Sequence, residues 1–302
     1  MILSKGAEKM KGIDVSEHQG IINWEKVKSQ IDFAIIRVSY GIGKIDKMAK
    51  RNIEECIRLG INFGVYFYSY ALNETQIQSE VKTMVEFIKP YQSKILYPVI
   101  IDMEDADGYK ERQGMPSNES LVNMCDIACT MIGTAGYFPM IYASQSWFMG
   151  RLRSEKLKKY AKWIAWWYEK AKFDRAEYPI WQYSSKGKIE GINGNVDMNE
   201  AYIDFPSSIS YLQTIKKLQI IKLKSGLEDT TLQFFNCYRY RGDLIEKVYN
   251  RLNKEKVKYD ESISKWQFIK KEYCLEDKTI SYFECYFWSD ELREKLFASI
   301  VE

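Results

Sequence analysis

Short apolar runs alternate with longer segments of helical period through the first two thirds of the chain. Runs of this length, rich in β-branched and aromatic residues, are typical of buried strands, and the longer segments have room for crossover helices. Eight runs fit the strand pattern: residues 12–16, 33–40, 63–70, 95–104, 138–143, 163–167, 180–183 and 196–198. This order predicts an α/β fold in which parallel strands close into a barrel.

The helical segments become sparse toward the end of this pattern. They occur near 24–30, 46–59, 74–89 and 118–132, and after the fifth strand only the gap near 148–160 has room for another helix. We therefore expect an irregular eight-stranded (β/α) barrel in which helices are missing from the last part.

A change of composition after the turn-like residues 205–208 indicates a second domain. Beyond it, the pattern favours a strand at 218–223, a helix at 243–253, β-rich runs at 266–273 and 279–288, and a closing helix at 290–300. No internal repeat is evident. The predicted organisation is an N-terminal tail (1–10), a barrel (11–205) and a small C-terminal α+β domain (211–302).

Composition narrows the class of protein. The chain has 302 residues, 46% of them hydrophobic, which is enough for a large core and a second small domain. Lys and Arg number 44 against 41 Asp and Glu, and a net charge of +3 over this length indicates no nucleic-acid partner. The six cysteines lack CxxC spacing, so we expect reduced thiols and synthesis in a reducing compartment.

Neither a secretion signal nor a membrane span is visible in the sequence. The first eleven residues are polar, without an apolar segment of signal-peptide type, and no window approaches eighteen uninterrupted apolar residues. The chain has one histidine, His18, so a zinc site built on several histidines is excluded and a serine or cysteine triad would have to use this residue. We predict no metal and no cofactor.

Acidic residues at predicted strand ends are the best candidates for chemistry. If strands one and eight are neighbours in the closed barrel, their carboxyl ends meet and bring Asp14 beside Asp197, although the two residues lie 183 positions apart (197 minus 14). Asp102 and Glu104 stand two residues apart, so strand alternation points both side chains to one face, across the barrel mouth. The sequence therefore predicts four acids around one pocket.

Paired carboxyl groups are what glycoside hydrolysis needs, one to protonate the leaving oxygen and one to attack or stabilise the cationic sugar. Repulsion and partial burial raise the pKa of at least one acid in such a cluster, although spacing does not identify which. A single Asp after a strand is more often a helix cap. The Asp102 and Glu104 pair follows the apolar run 97–101, where an unpaired carboxylate is costly unless it faces a pocket.

Four motifs together carry a family resemblance. They are Gly12-Ile-Asp-Val-Ser-Glu-His-Gln-Gly20 followed by Ile22-Asn-Trp24, the Asp102-Met-Glu104 pair, Trp181-Gln-Tyr183, and Val196-Asp197. In this order and at these strand ends they resemble glycoside hydrolase family 25, the Chalaropsis-type lysozymes, over about residues 11–205. The resemblance implies an irregular eight-stranded barrel, in agreement with the strand count.

The resemblance also implies an activity. It is hydrolysis of the β-1,4 bond between N-acetylmuramic acid and N-acetylglucosamine in bacterial peptidoglycan, with Glu104 as proton donor and Asp102 as its companion. Asp14 and Asp197 match the two acids on the opposite wall. Direct attack by a carboxylate and assistance by the substrate's N-acetyl group both stay open.

Substrate contacts are expected beside these acids. Tyr66 matches a family tyrosine in the third strand, although Phe67-Tyr68 stands where the family more often has His-Phe. Tyr142, Trp166 and Trp181 are candidates for sugar stacking, and Gln182 belongs to the Trp181 motif. His18 has no predicted catalytic role.

The expected partner is therefore bacterial peptidoglycan, with no nucleic acid and no membrane, and with the oligomeric state open. The protein would act on the cell wall, either released as a phage-type lysin or secreted with a leader absent from this chain. Residues 211–302 could target the wall, or have a structural or dimerising role. Two other functions are a catalytically silent peptidoglycan-binding barrel and a chitinase-like enzyme.

Overall fold

The fold of the first part of the chain is a closed barrel. A computed structural model describes residues 9–169 and 171–302. Two compact units are present, one up to Ile209 and one from Ser210 to Glu302. The first unit contains eight strands: β1 (Met10–Val15), β2 (Phe33–Tyr40), β3 (Asn62–Tyr68), β4 (Ile95–Asp102), β5 (Pro139–Ser144), β6 (Ala161–Ala165), β7 (Ile180–Gly187) and β8 (Val196–Ala201). The predicted eight-stranded barrel is confirmed.

One strand direction differs from the prediction. The strands are paired in chain order and β8 closes the barrel on β1, but β8 is antiparallel to both β7 and β1, whereas the other neighbouring pairs are parallel. A parallel connection needs a crossover of a dozen or more residues, and segment 188–195 is too short to supply one. The expectation that the carboxyl ends of strands one and eight meet is therefore wrong. The carboxyl end of β1 meets the amino end of β8.

Helices surround the first part of the barrel. They are α1 (Trp24–Val27), α2 (Ala49–Leu59), α3 (Glu74–Ile88), α4 (Tyr109–Arg112), α5 (Asn118–Thr134) and α6 (Gln145–Met149). The predicted helix near 148–160 is reduced to the end of α6 and a 3₁₀ turn at Glu155–Leu157. Between β6 and β8 the described residues contain no helix, as predicted for the last part of the barrel.

Strand alternation divides the apolar residues into an outer layer beneath the helices and a barrel interior. At the bottom of the interior, the rings of Phe33 and Tyr97 stack with centroids 4.5 Å apart. Glycines on neighbouring strands leave room for these rings, because a Cβ at Gly12 would lie 2.3 Å from the Phe33 ring and one at Gly64 would lie 2.8 Å from Tyr97 Cβ. Large rings thus fill the lower interior, and polar side chains occupy the upper layer.

The second unit is helical. The helices from the boundary onward are α7 (Phe205–Ser225), α8 (Asp229–Cys237), α9 (Arg241–Leu252), α10 (Lys265–Glu272), α11 (Asp277–Glu284) and α12 (Ser289–Ala298). The helices predicted at 243–253 and 290–300 are confirmed by α9 and α12. The turn predicted at 205–208 is instead the start of α7, where the Asp204 side chain accepts from Ser207 N at 3.0 Å and Pro206 lies in the first turn.

The three strands predicted in this unit are wrong, so it is not an α+β domain. Residues 218–223 lie in α7, while 266–273 and 279–288 fall mainly in α10 and α11. Helix signals outweigh β-propensity here. Ser264 and Gln267 form a capping box at the start of α10, and the buried residues Thr279, Ile280 and Phe283 of α11 have helical spacing.

Three further predictions concern the N-terminal tail, membrane-spanning helices and the cysteines. The predicted tail 1–10 lies outside the described residues except for Lys9 and Met10, and Met10 begins β1. No helix in the described part has the length and apolar character needed to cross a membrane. All six cysteines are unpaired, three of them buried and three exposed.

The tight lower interior makes a testable prediction. A Cβ at Gly64 would lie 2.6 Å from the backbone oxygen of Pro98, which has little freedom to move, so Gly64→Ala should destabilise the protein by about 1–3 kcal/mol or more. Gly133 in α5 is the control, since a Cβ there meets nothing closer than 4.0 Å. Gly133→Ala should be neutral or stabilise by up to about 1 kcal/mol. Urea unfolding measures both, and equal stabilities would contradict this packing.

Candidate active site

Four carboxyl side chains meet in the upper layer of the barrel. In the pairing of β1 with β8, Asp14 stands directly opposite Asp197. Asp102 is the last residue of β4, and Glu104 follows on the same face, two residues further. Asp14 and Asp102 are buried, whereas Asp197 and Glu104 are half-buried. The predicted juxtaposition of the four acids is present, although Asp197 reaches it from the amino end of its strand.

Two amide side chains hold Asp14. Its Oδ2 accepts from Gln182 Nε2 at 2.9 Å and from Asn199 Nδ2 at 2.7 Å. The amide oxygens in turn accept from indole groups, Trp163 Nε1 to Asn199 at 2.8 Å and Trp167 Nε1 to Gln182 at 3.1 Å. Because an indole N–H can only donate, each amide turns its oxygen to the indole and its NH₂ to Asp14. The surrounding tryptophans thus fix Asp14 Oδ2 as an acceptor.

The Asp14 and Asp197 carboxyl groups perturb each other. Burial raises the pKa of Asp14, repulsion from Asp197 raises it further, and the two amide hydrogen bonds oppose the rise. Burial also raises the pKa of Asp197, but a hydrogen bond from Asp14 lowers it. The interaction between the two carboxyl groups therefore favours protonation of Asp14 over protonation of Asp197.

Asp102 is a buried acid with one oxygen whose hydrogen-bonding capacity is unsatisfied. Its side chain is 3% exposed, and Oδ1 has no hydrogen-bond partner among the described residues. Burial raises the pKa of Asp102, and Glu104 adds to the rise by repulsion. An unpaired buried oxygen of this kind costs about 1–3 kcal/mol in an ordinary core. Here it lies in a pocket of acids, where a donor group on a ligand could satisfy it.

Glu104 has the properties of a general acid. Burial raises its pKa to about 7, with Asp197 acting in the same direction and Lys110 in the opposite one. A carboxyl group with this pKa is substantially protonated near neutral pH. Glu104 can therefore donate a proton to a group bound in this pocket.

A buried lysine fixes the backbone around Glu104. Lys110 in α4 is fully buried, and its Nζ donates to the backbone oxygen of Glu104 at 2.7 Å and to that of Ser69. The ammonium also lies 5.6 Å from the ring centroid of Tyr68. Lys110 thus ties the ends of β3 and β4 together and places a positive charge beneath the acids.

Two of the predicted tyrosines lie among the acids. The Tyr142 hydroxyl donates to Gln182 Oε1 at 3.1 Å, while its ring packs on Trp163 with centroids 4.4 Å apart. The Tyr66 ring meets the edge of Trp163 at 6.1 Å. Burial raises the pKa of both hydroxyl groups, and Asp14 is among the acids that add to the rise. Tyr142 is 7% exposed, so its hydroxyl rather than its ring face is presented to the pocket.

The predicted tryptophans are not brought to the acids. Alternation along β7 turns Gln182 inward and Trp181 outward, and Trp166 and Trp181 both pack against the outer apolar layer. Trp181 Nε1 donates to the backbone oxygen of Trp166 at 2.8 Å. The neighbouring Trp167 is 61% exposed and directs its indole N–H to Gln182, so it is the tryptophan of this segment that borders the site.

A basic group stands on the β2 side of the barrel mouth. Arg37 donates to Asp46 at 2.8 Å and to Glu17 at 3.3 Å, and it lies 3.4 Å from His18 Nε2. His18 therefore contacts Arg37 rather than Asp14.

Among the described residues, no group of three or more His, Cys, Asp or Glu is arranged to hold a metal ion.

Four residues of the site escaped the sequence analysis: Asn199, Trp163, Trp167 and Lys110. Asn199 follows Asp197 by two positions, so the alternation argument applied to Asp102 and Glu104 could have found it. Trp163 was assigned only to a strand. Lys110 offered no signal, because a lysine in a polar segment is normally exposed.

Comparison with known proteins identifies a matching family and several similar proteins. The family model described as "Glycosyl hydrolases family 25" matches residues 13–192. The uncharacterized protein YegX of Escherichia coli O157:H7 is 26% identical over 196 residues, covering 62% of this chain and 68% of YegX. Lysozyme M1 of Streptomyces globisporus is 25% identical over 210 residues, covering 63% of this chain and 67% of that enzyme.

A solved structure is also similar. The modular autolysin LytC of Streptococcus pneumoniae, in complex with a synthetic peptidoglycan ligand, superimposes with a TM-score of 0.59 at 33% sequence identity. The match covers 65% of this chain and 47% of the LytC chain. This chain therefore spans less than half the length of that autolysin.

Burial of the acids predicts how stability depends on pH. Below pH about 4, Asp102 is protonated in the folded and the unfolded chain alike, so its ionisation does not lower the free energy of unfolding. As pH rises, the unfolded chain releases this proton while the folded chain keeps it, because the folded pKa is raised, so the free energy of unfolding falls. Asp102→Asn should therefore stabilise the protein at pH 8 by at least about 1 kcal/mol, with little effect at pH 4.

Asp126 provides a control of opposite sign. Although burial opposes the change, hydrogen bonds from Lys159, Tyr160 and Lys156 lower its pKa to about 2, so its contribution is present at neutral pH and is lost in acid. Asp126→Asn should destabilise at pH 8. Urea unfolding at pH 4, 6 and 8 measures both variants, and a loss of stability in Asp102→Asn at pH 8 would contradict the account.

Proposed function

The chain belongs to glycosyl hydrolases family 25, and from this premise we propose that it is a lysozyme. The reaction is hydrolysis of the β-1,4 bond between N-acetylmuramic acid and N-acetylglucosamine in bacterial peptidoglycan. The observation that carries the proposal is the placement of Glu104. A carboxyl group with a pKa of about 7 stands in one pocket with Asp102 and with the pair formed by Asp14 and Asp197.

In this mechanism Glu104 is the general acid. Its proton passes to the glycosidic oxygen while the bond from that oxygen to C1 of the muramic acid breaks, and N-acetylglucosamine leaves as an alcohol. Positive charge develops at C1 and the ring oxygen, which Asp197 is placed to stabilise. Water then adds to C1 and returns a proton to the Glu104 carboxylate.

The second carboxylate can act in two ways. Asp197 can attack C1 directly and form a covalent intermediate. Alternatively, the acetamido oxygen of the substrate attacks C1, and Asp102 accepts the acetamido N–H through its unpartnered Oδ1. The unpaired oxygen of Asp102 supports the second route. Trapping of a glycosyl-enzyme by mass spectrometry distinguishes the two.

The partner in this proposal is the peptidoglycan of the bacterial wall. The protein acts there either as a phage-type lysin or as a secreted enzyme. Gln182 acts by holding Asp14, Tyr142 by holding Gln182, and Tyr66 by presenting its hydroxyl beside the acids. Trp167, with its exposed indole at the border of the site, is a better candidate for stacking on a sugar than Trp166 or Trp181.

Glu104→Gln is the direct test of the general acid. The amide keeps the shape but holds no transferable proton, so kcat/KM for peptidoglycan fragments should fall by about 10²–10⁴-fold. In the parent protein, kcat/KM should be high below pH 7 and fall as pH rises through 7, because Glu104 then loses its proton. Release of reducing ends from soluble fragments measures both quantities.

The matched control is Glu111→Gln, which removes an exposed carboxylate seven positions away (111 minus 104) and should leave kcat/KM unchanged. Chitin tested beside peptidoglycan separates a muramidase from a chitinase-like enzyme. Cleavage of chitin alone would contradict the proposal. Binding of peptidoglycan without cleavage by the parent protein would favour the silent binding module instead.

A further inference from the structure

The second unit contains an internal duplication. Residues 217–252 and 265–300 align without gaps at an offset of 48 positions (275 minus 227), and both copies read Leu-Glu-Asp-x-Thr-x-x-x-Phe-x-Cys-Tyr, at 227–238 and at 275–286. The expectation that no repeat is present is wrong. Each copy is built from three helices, the end of α7 with α8 and α9 in the first copy and α10 to α12 in the second.

Local structure is repeated together with sequence. Shortly after the first helix of each copy, equivalent residues have a left-handed backbone, with φ of 68° at Gly226 and 53° at Cys274. Equivalent ion pairs stabilise both copies. They are Lys222 with Asp229 and Lys270 with Asp277, and Lys217 with Glu246 and Lys265 with Glu294. The two copies therefore have the same fold.

The copies pack against each other symmetrically. The hydroxyl of Thr231 lies 3.1 Å from that of Tyr286, and the exchanged pair, Thr279 and Tyr238, lies at 3.2 Å. Four rings form one stack in the order Tyr286, Phe234, Tyr282, Tyr238, with successive centroids 4.2, 4.2 and 4.3 Å apart. Such an exchange of partners is the mark of an isologous interface with a two-fold axis. Every exposed position of one copy therefore has a counterpart in the other.

Exposed aromatic side chains within the copies are confined to one pair of equivalent turns. These turns join the second and third helices, and each follows the end ring of the stack. Among the described residues of the two copies, the exposed aromatic side chains are Tyr240 (44%), Phe287 (84%) and Trp288 (54%). Tyr240 and Trp288 occupy the same position of the repeat, whereas the residues that follow them differ between the two copies. Each ring makes contacts within the unit, Tyr240 with Tyr238 and Lys278 and Trp288 with Phe287, yet each remains about half exposed.

We propose that these two turns form a paired carbohydrate-binding surface whose ligand is the glycan strand of the bacterial wall. The proposal rests on the proposed function, in which the barrel of the same chain cleaves that polymer. Phenol and indole rings present large apolar faces together with a polar atom, which suits the alternating apolar and hydroxyl surfaces of a sugar. The Lys278 ammonium, which lies over one face of the Tyr240 ring at 4.3 Å from its centroid and pairs with Glu276, adds a hydrogen-bond donor at one of the two turns.

Duplication of the turn matches the repetition of the ligand. A glycan presents the same disaccharide many times, so two equivalent contacts can engage one strand or two neighbouring strands at once. Simultaneous engagement raises the overall affinity by about 10²–10⁴-fold over a single contact. The surface would hold the enzyme on the wall.

The test uses the full chain carrying Glu104→Gln, so that binding is measured without cleavage. Sedimentation with purified peptidoglycan compares this parent with added Tyr240→Ala, Trp288→Ala and both together. Each single substitution should weaken binding at least about tenfold through lost avidity, and the pair should reduce it to the weaker binding by the barrel alone. Peptide-free wall glycan should compete with binding by the parent.

Leu223→Ala is the matched control. Leu223 is 85% exposed in the first copy, and its counterpart is Lys271, so its loss removes exposed apolar surface without touching a repeated position. It should bind as the parent does. Tyr240→Phe with Trp288→Tyr should also retain most of the binding, because the rings are kept.

Two results would overturn the proposal. One is sedimentation of the double variant equal to that of the parent. The other is a parent that is dimeric by light scattering and a double variant that is monomeric, which would make the turns a contact between two copies of the chain. Hydrolysis of short soluble fragments by the chain with an intact Glu104 is measured separately, and Tyr240→Ala with Trp288→Ala should not change it. Absence of that hydrolysis would contradict the proposed function alone.

Discussion

Closure of the sheet by the pairing of β1 with β8 is the contact on which the site depends. This antiparallel pairing sets Asp14 directly opposite Asp197 and places Asn199 within reach of Asp14. Without it, β1 and β8 would be the two opposite edges of an open sheet, and Asp14 and Asp197 would lie apart. The lower interior is filled by large rings packed against glycines, so the polar layer above it is held from beneath.

Burial of the four carboxyl groups destabilises the folded protein but gives them pKa values suited to proton transfer. Burial raises the pKa of each of the four carboxyl groups, so the folded protein holds protons that the unfolded chain would release at neutral pH. Tryptophan-anchored amides orient Asp14, and Lys110 limits the repulsion around Glu104. Carboxyl groups that differ in how strongly they hold a proton thus lie within one pocket.

Sequence alone was sufficient for much of this arrangement. Strand alternation put Asp102 and Glu104 on one face, and barrel closure joined Asp14 to Asp197, because both rules are local geometry repeated along the chain. The direction of β8 depended on the length of one connection. The burial of Lys110 depended on tertiary contacts that periodicity does not report. In the second unit, helix caps and spacing outweighed β-branched and aromatic composition, and the repeat was concealed by substitutions such as Gly226 against Cys274.

The central claim is that the pocket cleaves the muramic acid linkage with Glu104 as its acid. Digestion of purified peptidoglycan in ¹⁸O-labelled water, with mass spectrometry of the products, identifies the sugar that carries the new reducing end. The account predicts labelled N-acetylmuramic acid at that end for the parent protein and no label with Glu104→Gln. Label on N-acetylglucosamine, or equal labelling by the parent and the variant, would contradict it.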